Sequence, residues 1–335
     1  MTTTTTTTPT PLPWEGYDDR DGFAALAAER RADAALFDAS TLDTRAALSR
    51  EIRAHWPRIV RRALAAGMRD RLESAALAAL PAGPLRLAGS STKIAKGEAH
   101  GVTTAVIYLA PAGEVTPDWT RLCPGSTAAC RASCLVFSGR MPMRPVKASR
   151  LWRTALYLGA PDVFWALARI DLNAVSDEAR RKGTRAAFRV NGTSDIETPG
   201  LFEFEAREHL GVALYGYTKV ADRARRSAEA GTDEAYSWDG REATRETARE
   251  ILAAGGRVSV VFSGDLPETW DGFPVVDGDV TDAVFTRPRG VVLGLRLKGT
   301  KKAKAAAVRG GFAQPGAPQP DRQGPESLRR LLSLS

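Results

Sequence analysis

The sequence predicts an α/β fold: a TIM-like barrel or partial (β/α) barrel behind an N-terminal helical extension. Three observations predict it. Short apolar runs of strand character alternate with helical stretches from about residue 103 to residue 295. Most of those runs end in a polar cluster, CPGSTAAC, NGTSD, YTK, SWDG, SG, DGDVTD and RLKG in turn. Before them, the chain from Asp21 to about Leu80 carries helical spacing alone. Alternating strand and helix implies a mostly parallel sheet with helices outside, and barrels of this kind carry their chemistry at the carboxyl ends of the strands.

The elements follow in chain order. Residues 1–20 open with MTTTTTTTPTPLP and are expected to be a disordered low-complexity tail, with too little apolar surface to offset the entropy of ordering. Residues 21–87 are expected to form the helical extension: Leu48, Ile52, Trp56, Ile59 and Val60 recur at helical spacing among arginines. Pro57 is expected to end or kink a helix near His55, and Pro81-Ala82-Gly83-Pro84 closes the region. This module reads either as a helical cap on the main domain or as a basic face for nucleic acid.

Residues 88–299 form the expected barrel-like domain. Its strands are expected at Thr103–Leu109, Arg185–Val190, Val212–Tyr217, Ala235–Trp238, Arg257–Phe262, Phe273–Val276 and Val291–Leu295. Helices are expected at Lys147–Leu158, Pro161–Gly183, Ala221–Ala230 and Glu242–Ala254, with Pro161 suited to a first turn and Gly183 to a C-terminal cap. Residues 300–335 start with Lys301, Lys302 and Lys304, turn rich in proline and glycine, and are expected to be a loose tail with a short final helix at Ser327–Leu334.

A formal charge of +8 points to an anionic partner, a small molecule or a nucleic acid. No apolar stretch approaches a membrane span, and the threonine-rich start lacks the pattern of a signal peptide. The expected compartment is the cytoplasm. The phosphate-binding G-x-x-x-x-G-K-[ST], the zinc-protease H-E-x-x-H and the hydrolase G-x-S-x-G are all absent from the sequence.

All three cysteines, Cys123, Cys130 and Cys134, fall within twelve residues as C-x6-C-x3-C. Three thiols cannot all pair with one another, so a disulfide framework is a poor reading. Thiolates suit iron–sulfur clusters and zinc. Three of them with one open position is the arrangement of a four-iron cluster, a [4Fe-4S] centre, that binds something at its fourth iron. Zinc, with a residue such as His100 completing the set, is the alternative. Three small buried side chains without a metal is the third reading. The basic run Arg140, Arg144, Lys147, Arg150 and Arg153 follows directly and would recruit an anionic substrate, Arg150 among the binding residues.

Other candidates stand at strand ends. Asn191, Gly192, Thr193, Ser194 and Asp195 could offer backbone N–H groups and a carboxylate to a small polar cofactor, or form a plain glycine turn. Lys219 could bind a carboxylate or phosphate. Asp277 and Asp279 could hold a hydroxyl or a cation; with Lys219 they are the candidate catalytic residues. Arg296 and Lys298 lie two apart on one strand, so both face a site or both face solvent.

The segments CPG…C…C, RVNGTSD, YGYTK, SWDG, VVDGD and GLRLKG together resemble the gene product 88 family of phages and mobile elements, over about residues 88–313. That resemblance implies a bacterial host cytoplasm and no settled activity. A three-cysteine loop after the first strand and a glycine-containing polar turn after the second is also similar to the layout of radical S-adenosylmethionine enzymes. This second resemblance implies that Cys123, Cys130 and Cys134 hold a four-iron cluster. It implies too that Asn191–Asp195 contact the methionyl end of S-adenosylmethionine. The usual spacing there is C-x3-C-x2-C with an aromatic residue before the last cysteine; here the spacing is longer and Ser133 holds that place. The sequence thus leads to a cluster-dependent enzyme acting on a small molecule, nucleotide or nucleic-acid base, with a nucleic-acid-binding protein carrying a structural metal as the alternative.

Overall fold

The computed structural model describes residues 36–69, 80–89, 101–118 and 120–317. The expectations for residues 1–20, for His100 and for a final helix at Ser327–Leu334 lie outside these. The first helix, α1 (Arg45–Ala65), is started by Thr44, whose hydroxyl accepts from the Ala47 N–H. Its apolar stripe of Leu48, Ile52, Trp56, Ile59, Val60 and Ala63 is buried. The helix runs on through Pro57, where the sequence led us to expect an end or a kink. Pro57 faces outward, so its ring and the helix hydrogen bond it cannot make lie on the exposed side, while the buried stripe continues on both sides.

Strand β1 (Ala88–Gly89) pairs antiparallel with β2 (Val102–Ile107). The long crossover from β2 contains two short helices, α2 (Ala112–Val115) and α3 (Ala128–Ala132), then α4 (Arg144–Gly159) and α5 (Pro161–Lys182). Gly183 caps α5 in the left-handed conformation, φ 65°, as its place after a basic last turn predicts. From there strand and helix alternate: β3 (Arg185–Arg189), α6 (Gly200–Phe204, continued by a wider turn to His209), β4 (Ala213–Thr218), α7 (Ala221–Glu229), β5 (Asp233–Ser237), α8 (Arg245–Ala253) and β6 (Val258–Phe262). A hairpin of β7 (Thr269–Trp270) and β8 (Phe273–Asp277) precedes β9 (Val292–Arg296). Residues 300–317 depart from the loose tail expected of them: they give α9 (Lys301–Arg309) and β10 (Ala313–Gln314). Thr300 caps α9 through the Ala303 N–H, and β10 pairs with the end of β6.

The sheet runs β1-β2-β3-β4-β5-β6-β9-β8-β7, with β10 beside β6. Seven neighbouring strands, β2 to β6 with β9 and β8, are parallel, and the path does not close. The architecture is therefore a mixed α/β fold on an open, mostly parallel sheet. Side chains alternate across it. Ile107, Phe188 and Leu214 turn to the cluster formed with α1, α4 and α5, and Tyr236, Val258 and Val260 to the cluster with α7 and α8. Val102, Ala187, Tyr215, Ala235 and Leu293 face the other way, under Val284 and Phe285. Each fully buried side chain of this size contributes about 2 kcal/mol. The N-terminal helix is tied in by polar contacts as well: Asp171 of α5 accepts from Arg45 of α1 and from the N–H groups of Leu87 and Ala88. No helix among the described residues is long and apolar enough to cross a membrane.

Candidate metal centre at the carboxyl edge of the sheet

The cysteine loop is built by local hydrogen bonds. The Ser126 N–H returns to the Cys123 carbonyl at 3.0 Å, closing a turn after Pro124. Thr127 then caps α3, its hydroxyl accepting from the Cys130 N–H at 3.2 Å, so Cys130 sits in the first turn of that helix. Cys134 starts the 3-10 turn Leu135–Phe137. Three contacts fix the loop, two of them at strand ends and one on a helix. The Asp195 N–H donates to the Leu122 carbonyl at 2.7 Å. Gly125 lies directly on Lys219, and α9 packs on α3.

The three thiols are free, partly buried, and within reach of one another's charge. Burial pushes Cys123 up to about 12; the Ala112 N–H beside its sulfur works against that, and Cys134, Asp195 and Cys130 add to it. Burial likewise pushes Cys134 up to about 11, opposed by the Val136 N–H and Arg150 and reinforced by Cys130 and Glu114. Without a cation Cys123 and Cys134 therefore keep their protons near neutral pH. Among the described residues no group of three or more His, Cys, Asp or Glu side chains is arranged to hold a metal ion.

Asp195 is the junction of the site. One carboxylate oxygen accepts from the Lys219 N–H at 2.8 Å and the other from Arg223 at 2.7 Å. Burial raises its pKa, and Arg223 pulls it back only in part. The other residues of the segment are stitched to each other and to the sheet. The Asn191 side chain donates to the Ile196 carbonyl and accepts from Ser194 and from the Ile196 N–H, all at 2.9 Å. The Thr193 hydroxyl donates to the Leu109 carbonyl. Gly192 packs on β2: a Cβ there would stand 2.6 Å from the Tyr108 ring and 2.7 Å from the Ile107 carbonyl oxygen. Its freedom serves strand packing.

Lys219, at the end of β4, donates from Nζ to the carbonyl and hydroxyl of Ser237, both at 2.9 Å, and lies over the Phe312 ring. The structure thus brings the cysteine loop, Asp195 and Lys219 together. Arg150 stands close enough to act on Cys134, but its own partners hold it. It is 1% exposed and held by Glu114 and the Met141 carbonyl. Asp277 pairs with Arg296 and Asp279 with Lys298, so the proposed catalytic acids and anion-binding bases engage one another.

Sequence reasoning missed two buried polar groups. On the sheet face away from the helices, Arg189 pairs with Asp282 at 2.7 Å and stacks on Tyr217, while the Tyr215 hydroxyl donates to Asp282. Burial opposes the charge on Arg189, and Asp282 more than restores it. The buried Tyr217 hydroxyl has no hydrogen-bond partner among the described residues. On the opposite face, burial pushes Glu234 up to about 7 despite Arg223 nearby, with Asp195 and Glu203 adding to the rise. The alternation Ala213, Tyr215, Tyr217 marked the first face; nothing local announced Asp282.

Compared with known proteins, the chain matches one family model, described as gene product 88, over residues 85–311. No curated protein and no solved structure shows significant similarity to it.

Proposed function

The chain belongs to the gene product 88 family, and from that premise we propose that it is an iron–sulfur-dependent enzyme acting on an anionic substrate. Cys123, Cys130 and Cys134 are the proposed ligands of a four-iron cluster. One observation carries the reading: a single loop brings all three thiols of the chain into one another's field at the carboxyl edge of a mostly parallel sheet.

The donor chemistry fits. Thiolates are the usual ligands of such clusters, and hydrogen bonds to the sulfurs help set their potential. The Ala112 and Val136 N–H groups supply two. Burial keeps Cys123 and Cys134 protonated, so loading would displace their protons. Zinc is the weaker reading. Zinc–sulfur bonds near 2.3 Å require sulfurs about 3.8 Å apart, whereas a cubane places each thiolate on a different iron, farther apart.

A cluster bound here would supply single electrons to a ligand at the strand ends. S-adenosylmethionine is the proposed second cofactor, next to Asn191–Asp195. Since Asn191, Thr193, Ser194 and Asp195 use their side chains internally, backbone groups would carry that contact. Partial-barrel curvature of the sheet belongs to the same proposal, with Tyr215 and Tyr217 on the inner face. Anaerobic purification tests the reading. It expects a brown protein with about four irons per chain that cleaves S-adenosylmethionine when reduced, and loss of both properties in Cys130→Ala. A colourless protein, with one zinc or no metal, overturns it and leaves a nucleic-acid-binding protein as the alternative.

A further inference from the structure

Beside the cysteine loop, an open groove of about 640 Å³ runs between Phe137, Ser138, Gly139 and Pro142 on one wall and Leu297, Lys298, Gly299, Thr300 and Lys304 on the other. Its volume is that of a ligand site. We propose that this groove binds single-stranded nucleic acid, with bases stacked on Phe137 and phosphates on the lysine wall. The proposal deepens the reading above by naming its anionic substrate, and rests on it only for the chemistry done there.

Two independent features point to that occupant. The first is charge. Residues 135–144 and 296–309, the segments that form the walls, hold eight basic residues and no acid: Arg140 and Arg144, then Arg296, Lys298, Lys301, Lys302, Lys304 and Arg309. Asp277 and Asp279 engage only Arg296 and Lys298. The other six make no ion pair among the described residues, so their charge is available to a polyanion.

The second is exposed apolar surface in the same place. Seven large apolar side chains stand exposed among the described residues, and four of them, Leu135, Phe137, Met143 and Val308, belong to these two segments. Phe137 is 48% exposed at the groove wall, on the turn that Cys134 begins. An exposed aromatic face among cations that make no ion pair within the described residues suits a stacked base and the phosphates of a single strand. A duplex hides its base faces, and an acidic peptide has none. Phe137 also follows Cys134 by three residues, in the turn that Cys134 begins.

Fluorescence anisotropy with a fluorescein-labelled, mixed-sequence single-stranded DNA oligonucleotide tests the site on the full chain. Binding should weaken linearly in log salt, and Lys304→Ala should reduce that slope by about 0.7. Phe137→Ala should weaken binding about tenfold with its salt slope unchanged. Both side chains are exposed, so neither variant threatens the fold. Equal affinity for the matching duplex, or no effect of Phe137→Ala, overturns the proposal. Iron content, measured on the same samples, reports on the cluster separately: an iron-loaded protein that ignores the oligonucleotide sinks this inference alone.

Discussion

The backbone of Gly125 lies against Lys219: a Cβ on Gly125 would stand 2.5 Å from the Lys219 Cβ and 2.6 Å from its carbonyl carbon and oxygen. This contact seats the cysteine loop on the end of β4. Lys219 is itself immobilised, its N–H by Asp195 and its ammonium by Ser237 on β5. The position of the thiols is thereby referred to three strand ends.

Gly125→Ala should therefore displace the loop. The atoms it meets include the backbone of Lys219, which cannot swing aside as a flexible side chain would. Overpacking of this kind costs about 1–3 kcal/mol. A urea midpoint lowered to match, with less iron retained after anaerobic purification, is the expected result. Wild-type values for both would show that the loop does not rest on Lys219.

Glu234 should make stability depend on pH. Its carboxyl ionises near pH 4.5 in the unfolded chain and at about 7 in the folded one. The folded state thus holds more protons between these values, and stability falls as pH rises from 4.5 through 7. Above that window the charged form costs on the order of 2 kcal/mol, after allowing for a side chain about a quarter exposed (24%). Glu234→Gln removes the cost. Denaturation midpoints of the variant and wild type should coincide below about pH 4.5 and separate in the variant's favour toward pH 8. A constant difference across that range would count against a raised Glu234.

The long strands were legible because each carries an apolar run bounded by turn residues, and those limits survive within about two residues, as at Arg185–Arg189 and Phe273–Asp277. Strands β1, β7 and β10 have two residues each and no periodicity to read. Lys301–Arg309 looked like a tail because lysine and alanine give a weak apolar stripe; its buried Ala303 and Ala307 are small, and the helix packs on α3, far off in sequence. The site was legible where chemistry is local, as in the cysteine loop. It was illegible where partners come from afar. Arg150 read as an anion ligand because Glu114, 36 residues away, is brought to it only by the fold. Gly192 read as a ligand contact because its neighbours Ile107 and Tyr108, at and just past the end of β2, are brought to it only by the fold.

Asp279 holds one of the groove's lysines in check, and removing its charge should show this. Its carboxylate accepts from the Lys298 ammonium and from the Arg296 N–H. Both cations are about half exposed, so the lost ion pairs are worth about 1 kcal/mol or less in stability. Asp279→Asn should leave the urea midpoint nearly unchanged while freeing Lys298 at the groove wall. Single-stranded DNA should then bind more tightly at low salt, with a salt slope steeper by about 0.7. If Asp279 were instead a catalytic acid unconnected with the groove, the variant would bind the oligonucleotide as wild type does. The two roles separate in one titration series, because the freed charge of Lys298 appears in the slope whether or not any reaction is followed.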